Sequence, residues 1–343
     1  PGSPWKPTAE QQAFFDTVAK LSPKKQIDAV RKKLMEANPG FDGKLTQVIN
    51  AGRVVELQFM TDEVTSIWPV RALADLETLR CPGSADGEGK LSDLSPLKGM
   101  PLTDLDCGAT RVSDLSPLQG MPLKMLVFNN TRVSDLSPLK GMLLTNLNCH
   151  ATRVSDLSPL KRMPLITIWL MARRFHVADE TLLRSLPVKR IIGIPTAEFW
   201  KHIAAQRRAA ETFAAETAKL PADQQVAAVV ALLKKLNGDP DGALGRVIEN
   251  GAVTEATLVA VGTRDVTPLR AFTKLKKLTL ISGPYWLDIS AVNSLPLEEL
   301  TCTADIALRN APVLRGMKTL KTINGQPAGK YLDALIAAAK SKP

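Results

Sequence analysis

The chain has 343 residues, of which 45% are hydrophobic and 23% charged, and that balance excludes a disordered or low-complexity polymer. No apolar run reaches the ~20 residues needed to span a bilayer. The net charge of +10 is concentrated in 151–200 (eight basic, four acidic residues) and 301–343 (seven basic, two acidic), whereas 101–150 balances at four of each. A nucleic-acid binder gathers its surplus on one face. This surplus sits near unit ends, which suits solubility and helix-end charges, so no specific nucleic-acid partner is expected.

In chain order, Pro1-Gly2-Ser3 looks like a tag scar and is set aside. Thr8 and Gln11 have the spacing of a capping box, which predicts a helix start. Ile27, Val30 and Leu34 form one apolar helical stripe. Asp42-Gly43 marks a turn before two paired strands, near Leu45–Ile49 and Val54–Phe59.

A repeat begins there. TRVSDLSPL occurs three times, from Thr110, Thr131 and Thr152, at a spacing of 21 residues. Aligned copies read Leu102, Leu105, Cys107, Thr110 and Val112; then Leu123, Leu126, Phe128, Thr131 and Val133; then Leu144, Leu147, Cys149, Thr152 and Val154. Earlier copies follow Leu57 and Leu79, and an irregular one at Leu165, Ile168 and Leu170 closes the run. The copy after Leu79 is stretched by a loop over 84–89. Alternation of apolar and polar residues predicts strands, and identical spacing predicts that they stack in parallel. Ser116 is expected to cap a short turn whose first position is Pro117. Coils of 21 residues leave room only for 3₁₀ or one-turn helices opposite the sheet.

A longer duplication has an offset of 199 residues. Leu34, Asn38, Leu45, Val48, Ile49, Gly52, Pro69, Arg71 and Leu79 match Leu233, Asn237, Leu244, Val247, Ile248, Gly251, Pro268, Arg270 and Leu278. The segment 196–219 lacks Gly and Pro and predicts one helix of about 36 Å, shared as the end of one unit and the start of the next. A shared helix would fix the orientation of the units. The expected architecture is an α/β solenoid: two tandem units, each with a helical cap, a hairpin, parallel coils and a closing cap. The boundaries are 1–3 for the scar, 4–195 for a first unit of about six coils, 196–219 for the connecting helix and 220–343 for a second unit of about three coils, with strands near Leu278, Leu300 and Ile323.

The pattern L-x-x-L-x-L-x-x-N/C-x-L, with Thr at the usual Asn position, resembles leucine-rich repeats of 21–23 residues in bacterial proteins. Trp5-Lys6-Pro7 through Gly40-Phe41-Asp42-Gly43, with LSDLSPLKGMPL at 91–102, is similar to regions appended to bacterial Ser/Thr protein kinases. That resemblance implies a sensing or docking role and carries over no catalytic residue, because no kinase motif is present.

Chemistry-bearing residues read mostly as architecture. Cys81, Cys107, Cys149 and Cys302 share one inward strand position and read as core thiols rather than as a zinc site or disulfide. Free thiols lean toward a reducing, cytoplasmic setting; the extracytoplasmic part of a membrane-anchored receptor is the alternative, and the compartment stays unassigned. His150, His176 and His202 lie in no nucleophile motif. Asp239-Pro240-Asp241-Gly242 resembles part of a calcium loop without its downstream Glu and reads as a turn. Neither cofactor nor metal is expected, and the chain reads as non-enzymatic. Lys90, Arg111, Arg132, Arg153 and Arg174 recur with the coils, and Asp93, Asp114, Asp135 and Asp156 follow. These read either as a rail for a polyanion or as alternating surface ion pairs, and the matching Asp favours ion pairs.

The outward strand residues vary while the frame stays constant. They are Thr78 and Arg80, Asp104 and Asp106, Met125 and Val127, Asn146 and Asn148, and Thr167 and Trp169. Of these, Arg80, Asp104, Asp106, Met125, Val127, Asn146, Asn148 and Trp169 are the candidate contacts for a protein or peptide ligand: an apolar centre with a polar surround on the concave face of the first unit. The alternative use of the chain is as a structural spacer or self-association unit. Composition and spacing leave the oligomeric state open.

Overall fold

A computed structural model describes residues 5–85, 88–154, 156–170, 177–237, 244–259, 263, 265–281 and 287–340. The scar at 1–3, Arg174, His176 and the stretch Asp239–Gly242 lie outside the described residues. The chain divides into two compact units, the first comprising Pro1–Met171 and Ala178–Thr196 and the second Ala172–Val177 and Ala197–Pro343. No described helix is long and apolar enough to cross a membrane.

The first unit opens with helices α1 (Ala9–Val18) and α2 (Pro23–Ala37). Thr8 and Gln11 form the capping box, each side chain serving the other's backbone N–H. Ile27, Val30 and Leu34 are buried along one side of α2, in line with their helical spacing. Strands β1 (Thr46–Asn50) and β2 (Arg53–Gln58) form an antiparallel hairpin with a bulge. Parallel strands β3 (Thr78–Arg80), β4 (Asp104–Asp106), β5 (Met125–Val127), β6 (Asn146–Asn148) and β7 (Thr167–Trp169) follow. Helix α3 (Val177–Ser185) and the antiparallel pair β8 (Arg190–Ile191) and β9 (Ile194–Pro195) close the sheet.

The register is the decisive feature. Leu57, Leu79, Leu105, Leu126, Leu147, Ile168 and Ile191 pair one onto the next from β2 to β8, and all seven are fully buried. The apolar column that the repeat predicts is therefore continuous. Each coil buries its leucines against its neighbours, because a single coil has no interior of its own. A leucine-rich repeat solenoid results, with one parallel sheet and short 3₁₀ turns on the side opposite its open face.

The turns differ from expectation in their capping. Ser116 does not cap. The Asp114 carboxylate accepts from the Ser116 N–H and from the Ser116 hydroxyl, both at 2.7 Å. Asp93, Asp135 and Asp156 hold Ser95, Ser137 and Ser158 in the same way. At two coils this also differs from the expected alternating ion pairs. These aspartates order the backbone where Ser-Pro enters the 3₁₀ turn, and among the described residues neither Arg111 nor Arg132 is in an ion pair with them. Asp outcompetes Ser because two carboxylate oxygens can serve both donors at once. Lys90, the first member of the series, pairs with Glu63 at 2.5 Å. In the Asn position of the repeat, Thr110, Thr131 and Thr152 are buried and donate to the carbonyls of Cys107, Phe128 and Cys149. Each hydroxyl closes its own coil where the chain leaves the strand.

The sites that require left-handed backbone are also periodic. Gly99, Gly120 and Gly141 have φ of +74°, +75° and +80° after the Ser-Pro-Leu turns, and Arg162 occupies that place in the last coil at +67°. Removing its side chain relieves the clash of Cβ with the backbone, so Arg162→Gly is expected to stabilise the unit by about 1 kcal/mol. A lower urea midpoint for the variant would contradict this.

Helix α4 (Thr196–Thr217) covers most of the 196–219 segment that lacks Gly and Pro and ends two residues before its expected bound. The second unit continues with α5 (Ala222–Asn237), the hairpin β10 (Leu244–Glu249) and β11 (Ala252–Val259), and parallel strands β12 (Lys277–Ile281) and β13 (Glu299–Thr301). Helices α6 (Ala304–Arg309) and α7 (Ala311–Gly316), strands β14 (Thr322–Ile323) and β15 (Gln326–Pro327), and helix α8 (Ala328–Lys340) complete it. Its sheet order, β10 to β15, repeats the first design: an antiparallel hairpin, parallel strands and an antiparallel pair. Even the bulge recurs, between Val48 and Ile49 in one unit and between Val247 and Ile248 in the other.

Candidate functional site

In a strand, neighbouring residues point to opposite faces, so burial of the leucine column leaves the residues on either side of it on the open face. The register arranges them in rows. Arg80 lies beside Asp106, Asp106 beside Val127, Val127 beside Asn148 and Asn148 beside Trp169. The parallel row runs from Thr78 through Asp104, Met125 and Asn146 to Thr167. All eight candidate residues thus fall on one face, in two adjacent columns. Seven are half-buried, and Trp169 is exposed at 37%. Thr167, read as outward, is 7% exposed, so the open surface ends in that column at Asn146.

The polar members are held in place. Arg80 is ion-paired with Glu56 of β2. The Thr103 hydroxyl donates to Asp104 at 2.7 Å and the Thr145 hydroxyl to Asn146 at 2.9 Å. Asp106 accepts from the Gly108 N–H at 2.9 Å, and Asn148 accepts from the His150 N–H at 3.1 Å. Burial raises the Asp106 carboxyl above the ordinary carboxylate range, while the Gly108 N–H and Arg80 pull it the other way. Sequence reasoning missed these local bonds, although Thr directly before Asp104 and Asn146, and small residues two positions after Asp106, were signals for them. Met125 and Val127 have no such anchors and bring half-exposed apolar surface between the acidic and amide rows.

Other candidates stay architectural. The four cysteines are free and buried. Desolvation pushes the Cys149 and Cys302 thiols up to about 12, and those of Cys81 and Cys107 higher still. The native chain is therefore expected to resist iodoacetamide at pH 8 and to react at all four thiols in urea, since the thiolate is the nucleophile. An unfolded chain releases these protons near pH 8.5, its ordinary value of about that size. The folded chain holds them to higher pH, so stability falls as pH rises above about 9. Rapid native alkylation would refute the packing. His150 is exposed, and among the described residues no group of three or more His, Cys, Asp or Glu could hold a metal ion.

No family model matches the chain, and no curated protein matches it. Among solved structures it is similar to an internalin (inlF) from Listeria monocytogenes str. 4b F2365. The identity is 18% over 87% of this chain and 87% of that one, with a TM-score of 0.33. It is also similar to an internalin C2 (inlC2) from the same strain, at 17% identity over 86% of this chain and 91% of that one, with a TM-score of 0.30.

Proposed function

We propose that the chain is a non-catalytic protein-binding module whose first unit captures a protein or peptide on the open face of its sheet. The observation that carries this reading is the placement of Met125 and Val127. Two apolar side chains stand on the open face, flanked in register by Asp104 and Asp106 on one side and by Asn146 and Asn148 on the other. An apolar centre that loses its water, inside a polar rim that fixes register, is how interface binding energy is concentrated. The anchored carboxylates and amides add preorganisation, which lowers the entropic cost of association. Arg80 and Trp169 extend the two ends. A docking role of this kind agrees with the resemblance to regions appended to Ser/Thr kinases.

The test is a double substitution, Met125→Arg with Val127→Asp. Proteins recovered with the native chain from its source cells are purified and titrated against both forms. Binding is expected to weaken at least about 100-fold while circular dichroism and the urea midpoint stay within error. Partners that bind both forms equally would refute the assignment to this face.

A second reading, self-association, is favoured by β1. The strand is exposed along its whole length, carries no charge, and shows Val48 and Ile49 at 44% and 45% exposure. Edge strands are normally guarded by charges or proline. Sedimentation that shows a dimer lost on Ile49→Lys would support this use; a monomer at all concentrations would exclude it.

A further inference from the structure

We propose that the second unit carries a separate binding site for a small organic phosphate, in a cleft on the edge where the chain enters strands β11 to β13. The cleft has a volume of about 950 Å³, the size of a small-ligand site. Lys274, Lys276 and Lys318 line it, against one carboxylate, Glu249. Lys277 and Lys321 nearby are committed to Glu255, Glu299 and Glu298. By contrast, Lys274, Lys276 and Lys318 are in no ion pair among the described residues, and Lys276 feels the Glu298 carboxylate only at longer range. Leu295 and Met317, both buried, supply an apolar wall.

Thr254, which also lines the cleft, is the second and independent observation. It is 9% exposed, and its hydroxyl is buried without a hydrogen-bond partner. A buried orphan hydroxyl costs free energy and calls for a reason. Thr254 is the extra residue of the β11 bulge, since Val247 pairs with Glu255 and Ile248 with Val253. Bulges re-aim side chains and are common beside binding sites.

The duplication supplies an internal control. At the offset of 199 residues, Val55 stands in place of Thr254, Asp75 in place of Lys274 and Glu77 in place of Lys276. The first unit forms the same bulged hairpin with those residues, and its Asp75 is paired with Arg53 at 3.9 Å. The fold therefore requires neither the lysines nor the hydroxyl. Three exposed ammonium groups around an open cleft match the two charges of a phosphate monoester, which Lys binds as a point charge. The hydroxyl supplies a donor for a phosphate oxygen, and Leu295 and Met317 suit a partly apolar body.

Calorimetric titration of the full chain tests this, with inorganic phosphate, glycerol 3-phosphate and glycerol as probes. Glycerol 3-phosphate is expected to bind more tightly than inorganic phosphate, and glycerol not at all. Lys276→Gln with Lys318→Gln should weaken glycerol 3-phosphate at least tenfold with an unchanged thermal midpoint. Thr254→Val should weaken it as well, while leaving the midpoint equal or higher; a merely structural threonine would instead lower the midpoint and leave binding alone. Binding of inorganic phosphate at equal strength, no binding of either phosphate, or unchanged affinity in the double lysine variant overturns the proposal. None of these results depends on the open face of the first unit.

Discussion

Leu126→Ala is expected to cost the first unit about 3–5 kcal/mol, whereas Met125→Ala, one residue earlier, is expected to cost no more than about 1 kcal/mol. Leu126 is fully buried and stacked in register between Leu105 and Leu147. Truncation removes its transfer free energy and leaves a cavity that the neighbouring coils cannot close, because each is pinned by ladder hydrogen bonds on both sides. Met125 lies in the same three-residue strand but on the open face, half-buried. The contrast isolates the period of two. Urea unfolding combined with amide exchange on Leu105 and Leu147 would measure it, since coils in a solenoid depend on their nearest neighbours. Similar losses for both variants would mean that the two faces are not distinguished in this way.

Asn38→Ala should be nearly as damaging, at about 3–4 kcal/mol. Asn38 is 2% exposed at the end of α2. Its carbonyl oxygen accepts from the N–H groups of Thr65 and Ser66, and its amide donates to the carbonyls of Leu34 and Ser66, all at 2.9 Å. One side chain thus ties the capping helix to the loop before the first 3₁₀ turn. Alanine orphans several buried backbone groups at once, and water cannot reach all of them. Faster exchange of the Thr65 and Ser66 amides, with a lowered urea midpoint, is the expected signature. Unchanged protection at both would show that the tie is dispensable. Asn237 repeats the arrangement in the second unit, donating to Leu233 and Asp265 carbonyls and accepting from the Asp265 N–H. Asn310 does the same among Leu287, Ile289 and Ile306. The two residues related by the duplication stand out in the sequence as a matched pair; Asn310 has no such marker, and only its position in space reveals the shared role.

The repeat itself was legible because stacking imposes one demand again and again. Every coil must present a leucine at the same height, so the spacing of Leu105, Leu126 and Leu147 records the sheet directly. Capping signals such as Thr8 with Gln11 are equally local, and the structure forms that capping box. Sequence and structure part where two residue types compete for the same backbone donor. Ser116 and Asp114 both suit the start of a turn, and only the geometry shows that Asp114 takes the Ser116 N–H and hydroxyl together. Among the described residues, Arg111 does not pair with Asp114, whose carboxylate is turned to the Ser116 N–H and hydroxyl.

Local periodicity, then, determined which side chains go inward, how the strands stack and where one unit is copied into another. Tertiary structure alone decided how crowded the outward residues are. Thr167 is covered while Trp169 remains open, and the Thr254 hydroxyl is buried without a partner where Val55 stands in the other copy. Exposure and hydrogen bonding depend on segments that meet across the fold, and no spacing along the chain encodes what the neighbouring coil or cap places beside a given side chain.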